Sequence, residues 1–367
     1  CRARRVNLTS ASQALHCFLS FQNQNCLTTY ILWVKHMSKT TAIAHPNIAL
    51  IKYWGNRDAK LRIPLNDSLS MNLGALMTET TVEFDSALDQ DRVELDGAPA
   101  DAKTCARVSE HLTRVRDLAK IETRARVASR NNFPAAAGLA SSASAFAALT
   151  LAATRAADLA LDTRALSILA RQGSGSAARS IPDGFVEWLA AKNANYTSEQ
   201  SYARSLLPAD AWALHDVIAI VSRDAKQVGS TEGHAAAPSS PFLAERLARL
   251  PMRYHHVRRE TLAKNLTGMG PDLEAEAIEL HLLAMTSQPP IFYWAPDTLR
   301  VLDAVRAWRA DGLEAYYTLD AGPNVHILTA QTDAAELAQR VRALQGVQDV
   351  LVSGPGGATR VSENHLF

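Results

Sequence analysis

The sequence predicts an α+β protein of two domains, and three observations carry that reading. Strand-like apolar runs and helix-length segments interleave in both halves of the chain. The run Val217-Ile218-Ala219-Ile220-Val221 is apolar throughout, the pattern of a buried strand, and it opens the second half. A hydrophobic content of 47% with 20% charged residues over 367 positions gives ample material for a core. The boundary falls just before the apolar run, near residues 208–216, which sets domains at 37–210 and 211–367.

Taken in order, residues 80–84 and 123–129 read as strands, the second alternating Arg124 and Arg126 with Ala125 and Val127. A helix is expected from Ser141 to residue 158, with Ala145, Leu149 and Ala152 on its inner face. Asp162 or Thr163 caps the next helix, which runs through Arg171 and ends at Gly173. Beyond the boundary the pattern gives a helix over 272–285, strands over 316–320 and 325–329, a helix over 334–344 and a strand over 349–352. The stretch 235–241 (AAAPSSP) reads as a mobile loop.

Residues 1–36 stand apart. They contain no acidic residue and hold Cys1, Cys17 and Cys26, three of the four cysteines. They read as a disordered or non-native extension ahead of a working start at Met37, with an organellar leader as the alternative. The apolar run Ile31-Leu32-Trp33-Val34 is far too short for a membrane span. Cys105 is then the lone cysteine of the folded part, which excludes a disulfide framework there and suits a reducing cytoplasm. A formal net charge of +1, no basic block and 6% aromatics argue against a nucleic-acid partner. The class left standing is a soluble enzyme with no membrane or nucleic-acid partner.

Five stretches could carry chemistry. Residues 131–144 (NNFPAAAGLASSAS) form a small-residue loop opening into a helix, where backbone N–H groups and the helix dipole can hold an anion. An alanine-rich helix packed on a sheet explains the same letters. In His45-Pro46-Asn47-Ile48-Ala49-Leu50-Ile51-Lys52-Tyr53-Trp54-Gly55, a strand would put Asn47, Ala49, Ile51 and Tyr53 on one face and Lys52 on the other. Lys52 there is either a snorkelling edge lysine or one that meets a partner. Residues 173–180 (GSGSAARS) offer a nest for oxyanions and a guanidinium fork at Arg179, or simply a glycine cap beside a surface arginine. Asp320, before Ala321-Gly322-Pro323-Asn324, ends a strand at a tight turn, as site carboxylates and ordinary turns both do. Residues 353–357 (SGPGG) read as a chain-closing turn. His255-His256 lacks zinc-hydrolase spacing, and no G-x-S-x-G elbow is present.

In this order the motifs resemble the mevalonate diphosphate decarboxylases of the GHMP kinase superfamily. The matching stretches are NIALIKYWG (47–55), IPLNDSLSMNL (63–73), NNFPAAAGLASSASA (131–145), ARQGSGSAARS (170–180), GFVEW (184–188), LLAMTSQPPIFYW (282–294) and LDAGPNVHIL (319–328). The resemblance implies a GHMP kinase fold, with a ribosomal-S5-like N-terminal domain, a ferredoxin-like C-terminal domain and the site in the cleft between them. It implies ATP and Mg²⁺, a phosphorylated mevalonate as substrate, and a cytoplasmic homodimer. Asp320 matches the aspartate that orients and deprotonates the 3-hydroxyl, Lys52 the lysine beside it, and Arg179 the arginine that grips the substrate carboxylate, positioned by Asn47. Pro134, Gly138, Leu139, Ala140, Ser141, Ser142 and Ser144 match the nucleotide-phosphate loop. Tyr53, Ser174, Gly175, Ser176 and Arg179 match the substrate site.

Two positions depart from the family pattern. The lysine that follows Tyr-Trp-Gly in the family is Asn56 here, and Ile181-Pro182-Asp183-Gly184 replaces an aromatic-Gly-Gly. One change removes a positive charge and the other is expected to bring a carboxylate near the anion pocket, so mevalonate 5-phosphate stands as a rival to the 5-diphosphate. Arg57 and Lys60 are the candidates to restore the charge. A GHMP kinase that stops at 3-phosphorylation and a non-enzymatic nucleotide-binding module are the further alternatives, distinguished by CO₂ release and by turnover.

Overall fold

The structure, a computed structural model, describes residues 38–133, 141–191, 193, 195–224 and 226–367. The expected extension, the start at Met37, and Pro134, Gly138, Leu139 and Ala140 lie outside the described residues. The first half contains β1 (Thr40–Ala44), β2 (Asn47–Ile51), β3 (Asn56–Asp58), β4 (Ile63–Pro64), β5 (Ser68–Asn72), β6 (Thr78–Asp85), β7 (Arg92–Leu95) and β8 (Ala98–Pro99). It continues with α1 (Ala102–Ala119), β9 (Arg124–Asn131), α2 (Ser141–Ala156), α3 (Thr163–Gly173), α4 (Ala177–Ser180), β10 (Phe185–Trp188) and β11 (Ala203–Leu207). The second half holds β12 (Leu214–Ile220), α5 (Ser230–Ala236), α6 (Leu243–Ala263), α7 (Leu266–Met285) and α8 (Pro296–Ala310). It closes with β13 (Ala315–Thr318), β14 (Val325–Ala330), α9 (Ala334–Arg342), β15 (Asp349–Ser353) and β16 (Arg360–Ser362).

A six-stranded sheet in the order β16-β1-β6-β9-β7-β8 carries α1 and α2 on one face. Its register pairs Val82 with Val127 and Phe84 with Ala125, so the alternation seen in 123–129 faces one core with Leu112, Val115 and Leu149. Most of α2 is buried, because its alanines let β1 and β6 approach one side while α3 and α4 pack on another. Asp162 caps α3 by accepting from the Ala165 N–H at 2.7 Å, and the helix ends at Gly173 as expected.

The sheet β13-β14-β12-β15 is apolar on both faces, which is why the run at 217–221 has no polar alternation. Val217, Ala219, Val325 and Ile327 meet α8 and α9, while Ile218, Ile220 and Leu328 face α6 and α7. That second core also takes Ile48, Leu50, Met71 and Phe185 from the sheet β11-β10-β5-β2. The chain then returns to the first sheet, where β16 pairs with β1.

Two expectations fail here. The stretch 235–241 is not a free loop: α5 runs to Ala236, a 3-10 turn follows at Ala237–Ser239, and Ala237 is fully buried beside Trp54 and Leu283. Small residues that spell a loop also fit a crowded interior. The helix expected from 272 starts at Leu266, with Asn265 accepting from the Gly268 N–H and Pro271 taken into its second turn.

Candidate active site

The site assembles where β2 gives out. Regular pleating would separate Lys52 from Tyr53, but the β2–β5 register shifts between Ala49 and Ile51 and the strand ends there. Lys52, Tyr53 and Trp54 therefore all line one cavity of about 410 Å³, which corrects the expectation that Lys52 faces the other way.

Lys52 is buried and donates from Nζ to the Ala49 carbonyl at 2.7 Å and to Asp320 Oδ1 at 2.8 Å. Asp320 sits in the turn between β13 and β14, two residues past the strand, and keeps 25% of its side chain exposed. Burial pushes the Asp320 carboxyl up, but the Lys52 charge and hydrogen bond, helped by His326 and Arg179, hold it below the usual carboxylate range. For Lys52 burial wins over the pull of Asp320, and its pKa lies below the ordinary lysine value.

Arg179, on the one-turn helix α4, is also buried. Its Nε donates to Asn47 Oδ1 at 3.1 Å and its Nη1 to Ser68 Oγ at 2.8 Å. Asn47 in turn donates to Ser180 Oγ at 2.8 Å and to the Ser176 carbonyl at 3.2 Å. The structure thus brings Asn47, Lys52, Arg179 and Asp320 together. Burial pushes Arg179 down to about 10, which leaves it a cation at neutral pH.

Ser174, Gly175 and Ser176 form the wall below, and Gly175 must be glycine because a Cβ would come within 2.6 Å of the Tyr53 hydroxyl. Ser142, exposed in the first turn of α2, faces Ser174 with 3.4 Å between hydroxyls. Ser144 turns inward instead: it is fully buried, bonded to Thr78 Oγ1 at 2.6 Å, and lines neither cavity described here. A neighbouring apolar cavity of about 170 Å³ is lined by Val93, Val108, Val127, Phe146 and Leu149, together with Ser141. It shares Arg107 and Ser142 with the first.

Around position 56 the charge is not where the sequence put it. Asn56 is held by the Tyr53 hydroxyl, which donates to its Oδ1 at 2.5 Å. Arg57 donates to the Ala191 carbonyl and Lys60 is exposed; neither lines the cavity. Arg62 does, tied to the end of α3 by its Nε bond to the Gln172 carbonyl at 3.2 Å, while Arg171 Nε holds the Leu61 carbonyl at 2.9 Å. Asp183 lies beside Gly357, away from the cavity, so the feared carboxylate does not enter.

Sequence reasoning also missed Lys103, Arg107, Lys226, Glu232 and His234, all on the cavity wall. With Lys52, Arg62, Arg179 and Asp320 they make six cations against two carboxylates, a basin for a strongly anionic ligand. His234 stacks on Tyr53 with centroids 4.1 Å apart, and its Nδ1 accepts the Gly55 N–H at 2.9 Å. Burial, with Arg62 and Arg179 nearby, pushes it down to about 3, so it stays neutral. None of these residues sits in a motif. Ser68 alone could have been found, inside the stretch 63–73.

Comparison with known proteins gives the family. Residues 44–203 match the diphosphomevalonate decarboxylase-like N-terminal domain, and 216–355 the mevalonate 5-diphosphate decarboxylase C-terminal domain. Diphosphomevalonate decarboxylase mvd1 of Aspergillus fumigatus is 34% identical over 86% of this chain and 83% of its own. Phosphomevalonate decarboxylase of Haloferax volcanii is 31% identical over 89% and 99%. The mevalonate diphosphate decarboxylase from Enterococcus faecalis superposes with a TM-score of 0.82 at 35% identity, over 89% of this chain and 99% of that one. A solved structure of MDDEF in complex with MVAPP, AMPPCP and magnesium gives the same values. The architecture is the GHMP kinase fold, and the chain belongs to the diphosphomevalonate decarboxylase family.

Proposed function

We propose that the chain catalyses the ATP-dependent decarboxylation of mevalonate 5-diphosphate to isopentenyl diphosphate, CO₂, ADP and phosphate, through phosphorylation of the 3-hydroxyl. One observation carries this reading: Asp320, Lys52 and Arg179 share a cavity whose wall includes Ser142 in the first turn of α2.

The 3-hydroxyl gives up its proton to the Asp320 carboxylate as its oxygen bonds to the γ-phosphorus and the bond from that phosphorus to ADP breaks. Lys52 keeps Asp320 ionised and stabilises the transferred charge. The C3–O bond then breaks with its electron pair leaving on phosphate. The electrons of the C1–C2 bond close the C2–C3 double bond and free CO₂. Arg179, fixed by Asn47 and Ser68, holds the carboxylate so that the two breaking bonds align.

The residues fit a nucleotide. The apolar cavity suits a base, and Ser142 with Arg107 leads from it into the cationic basin. Mg²⁺ bound with the phosphates would neutralise their charge, and the exposed Ser142 hydroxyl is a group that could hold it. Among the described residues no three His, Cys, Asp or Glu side chains gather as a metal cage.

A second reading, mevalonate 5-phosphate as substrate, is favoured by Asn56, which is neutral and engaged with Tyr53. The purified chain given ATP, Mg²⁺ and each substrate in turn should release ADP and CO₂ in equal amounts. ADP without CO₂ assigns a 3-kinase, and nucleotide binding without turnover assigns a binding module. The ratio of kcat/KM between the two substrates decides the tail.

A further inference from the structure

Resting on the decarboxylase reading, we propose that Glu276, paired with Arg246, is a positioning residue for Lys52: the pair grips the lysine's backbone where the sheet no longer does. β2 ends at Ile51, whose partner is Leu69, so strand pairing stops one residue short of Lys52. The Lys52 N–H instead donates to Glu276 Oε2 at 2.8 Å. Its carbonyl accepts from Arg246 Nη2 at 3.4 Å and from Asn66 Nδ2 at 3.0 Å. Arg246 and Glu276 are joined by two hydrogen bonds, at 3.0 and 2.9 Å, and both are buried. Helices α6 and α7 thereby set the direction in which the lysine leaves the backbone.

A buried ion pair is a poor device for stability, since an apolar pair of similar volume often serves the fold as well. This pair meets a catalytic lysine on both sides of its Cα. The lysine side chain is a long lever on four rotatable bonds, and its ammonium must sit 2.8 Å from Asp320. A small rotation of the backbone at Lys52 displaces Nζ by about 1 Å, an error that costs on the order of 100-fold in rate when it falls on a reacting group. Arg253 also bonds Glu276, at 2.7 Å, and Glu279, so losing Glu276 does not leave that arginine alone.

The test compares two variants by kcat, KM and thermal unfolding. Glu276→Gln keeps an acceptor for the Lys52 N–H, whereas Glu276→Leu with Arg246→Met replaces the pair by apolar groups of similar volume. The expected result is kcat within about threefold of the parent for the Gln variant and lower by about 30-fold for the apolar pair, with KM for ATP within about twofold in both. The apolar pair, which leaves the buried Lys52 N–H without its acceptor, should fold and unfold somewhat below the parent's temperature. Equal turnover in the two variants, parental turnover in the apolar pair, or an apolar pair that does not fold overturns the proposal. Failure of the decarboxylase reading looks different: the parent itself releases no CO₂.

Discussion

At one end of the cavity, Lys52, Arg179 and Asn47 each make two or three hydrogen bonds of 2.7–3.2 Å to interior groups. Elsewhere on the wall, Arg62 is tethered through Nε at 3.2 Å, and Lys103 reaches the exposed Glu232 at 3.5 Å. On the proposed reading the first set fixes atoms whose bonds break, where small displacements are expensive. The second set gathers charge from separate segments, and on the proposed reading a diffuse anion is served by Arg62 although position 56 is neutral. In the proposed reaction, geometry serves the chemistry and net charge serves the anionic ligand.

That contrast orders the effects of substitution. Arg179→Ala should cost the most, lowering kcat for CO₂ release by roughly 10²–10³, because it removes the group that aligns the carboxylate. Asn47→Ala leaves the guanidinium in place but loosens it, and a loss of about tenfold in kcat with little change in KM for ATP is expected in steady-state assays. At the tail, Asn56→Lys should move kcat/KM about tenfold toward the 5-diphosphate over the 5-phosphate, the effect of ~1.4 kcal/mol from one added charge. A comparable loss of kcat from Asn56→Lys would erase the distinction between the two sets. The smallest effect is on pH: burial lowers the Lys52 pKa, so the ammonium is lost as pH rises through that value. The alkaline limb of kcat/KM should therefore begin below the ordinary lysine range near 10.4.

The reaction end was legible in the sequence because its residues sit in contiguous motifs with turn-forming or small neighbours: Asn47 and Lys52 in 47–55, Arg179 in 173–180, Asp320 in 319–324. The rest of the cationic wall was not. Arg62, Lys103, Arg107, Lys226 and His234 come from separate stretches and meet only through packing of α1, α5 and the turn at Arg62, where φ is 51°. Regular alternation puts Lys52 on the wrong face because a register shift leaves no mark in a run of apolar letters. Helix α1 did carry a signal, Asp101 accepting from the Thr104 N–H at 2.8 Å, which went unread. Helix α6 hides behind an internal Pro251.

Asp320→Asn, assayed for ADP release, CO₂ release and ATP binding on the same preparation, tests the shared site most directly. If Asp320 and Lys52 serve a single reaction, ADP and CO₂ should vanish together while ATP binding persists at parental affinity. CO₂ release that continues at the parental rate contradicts the account.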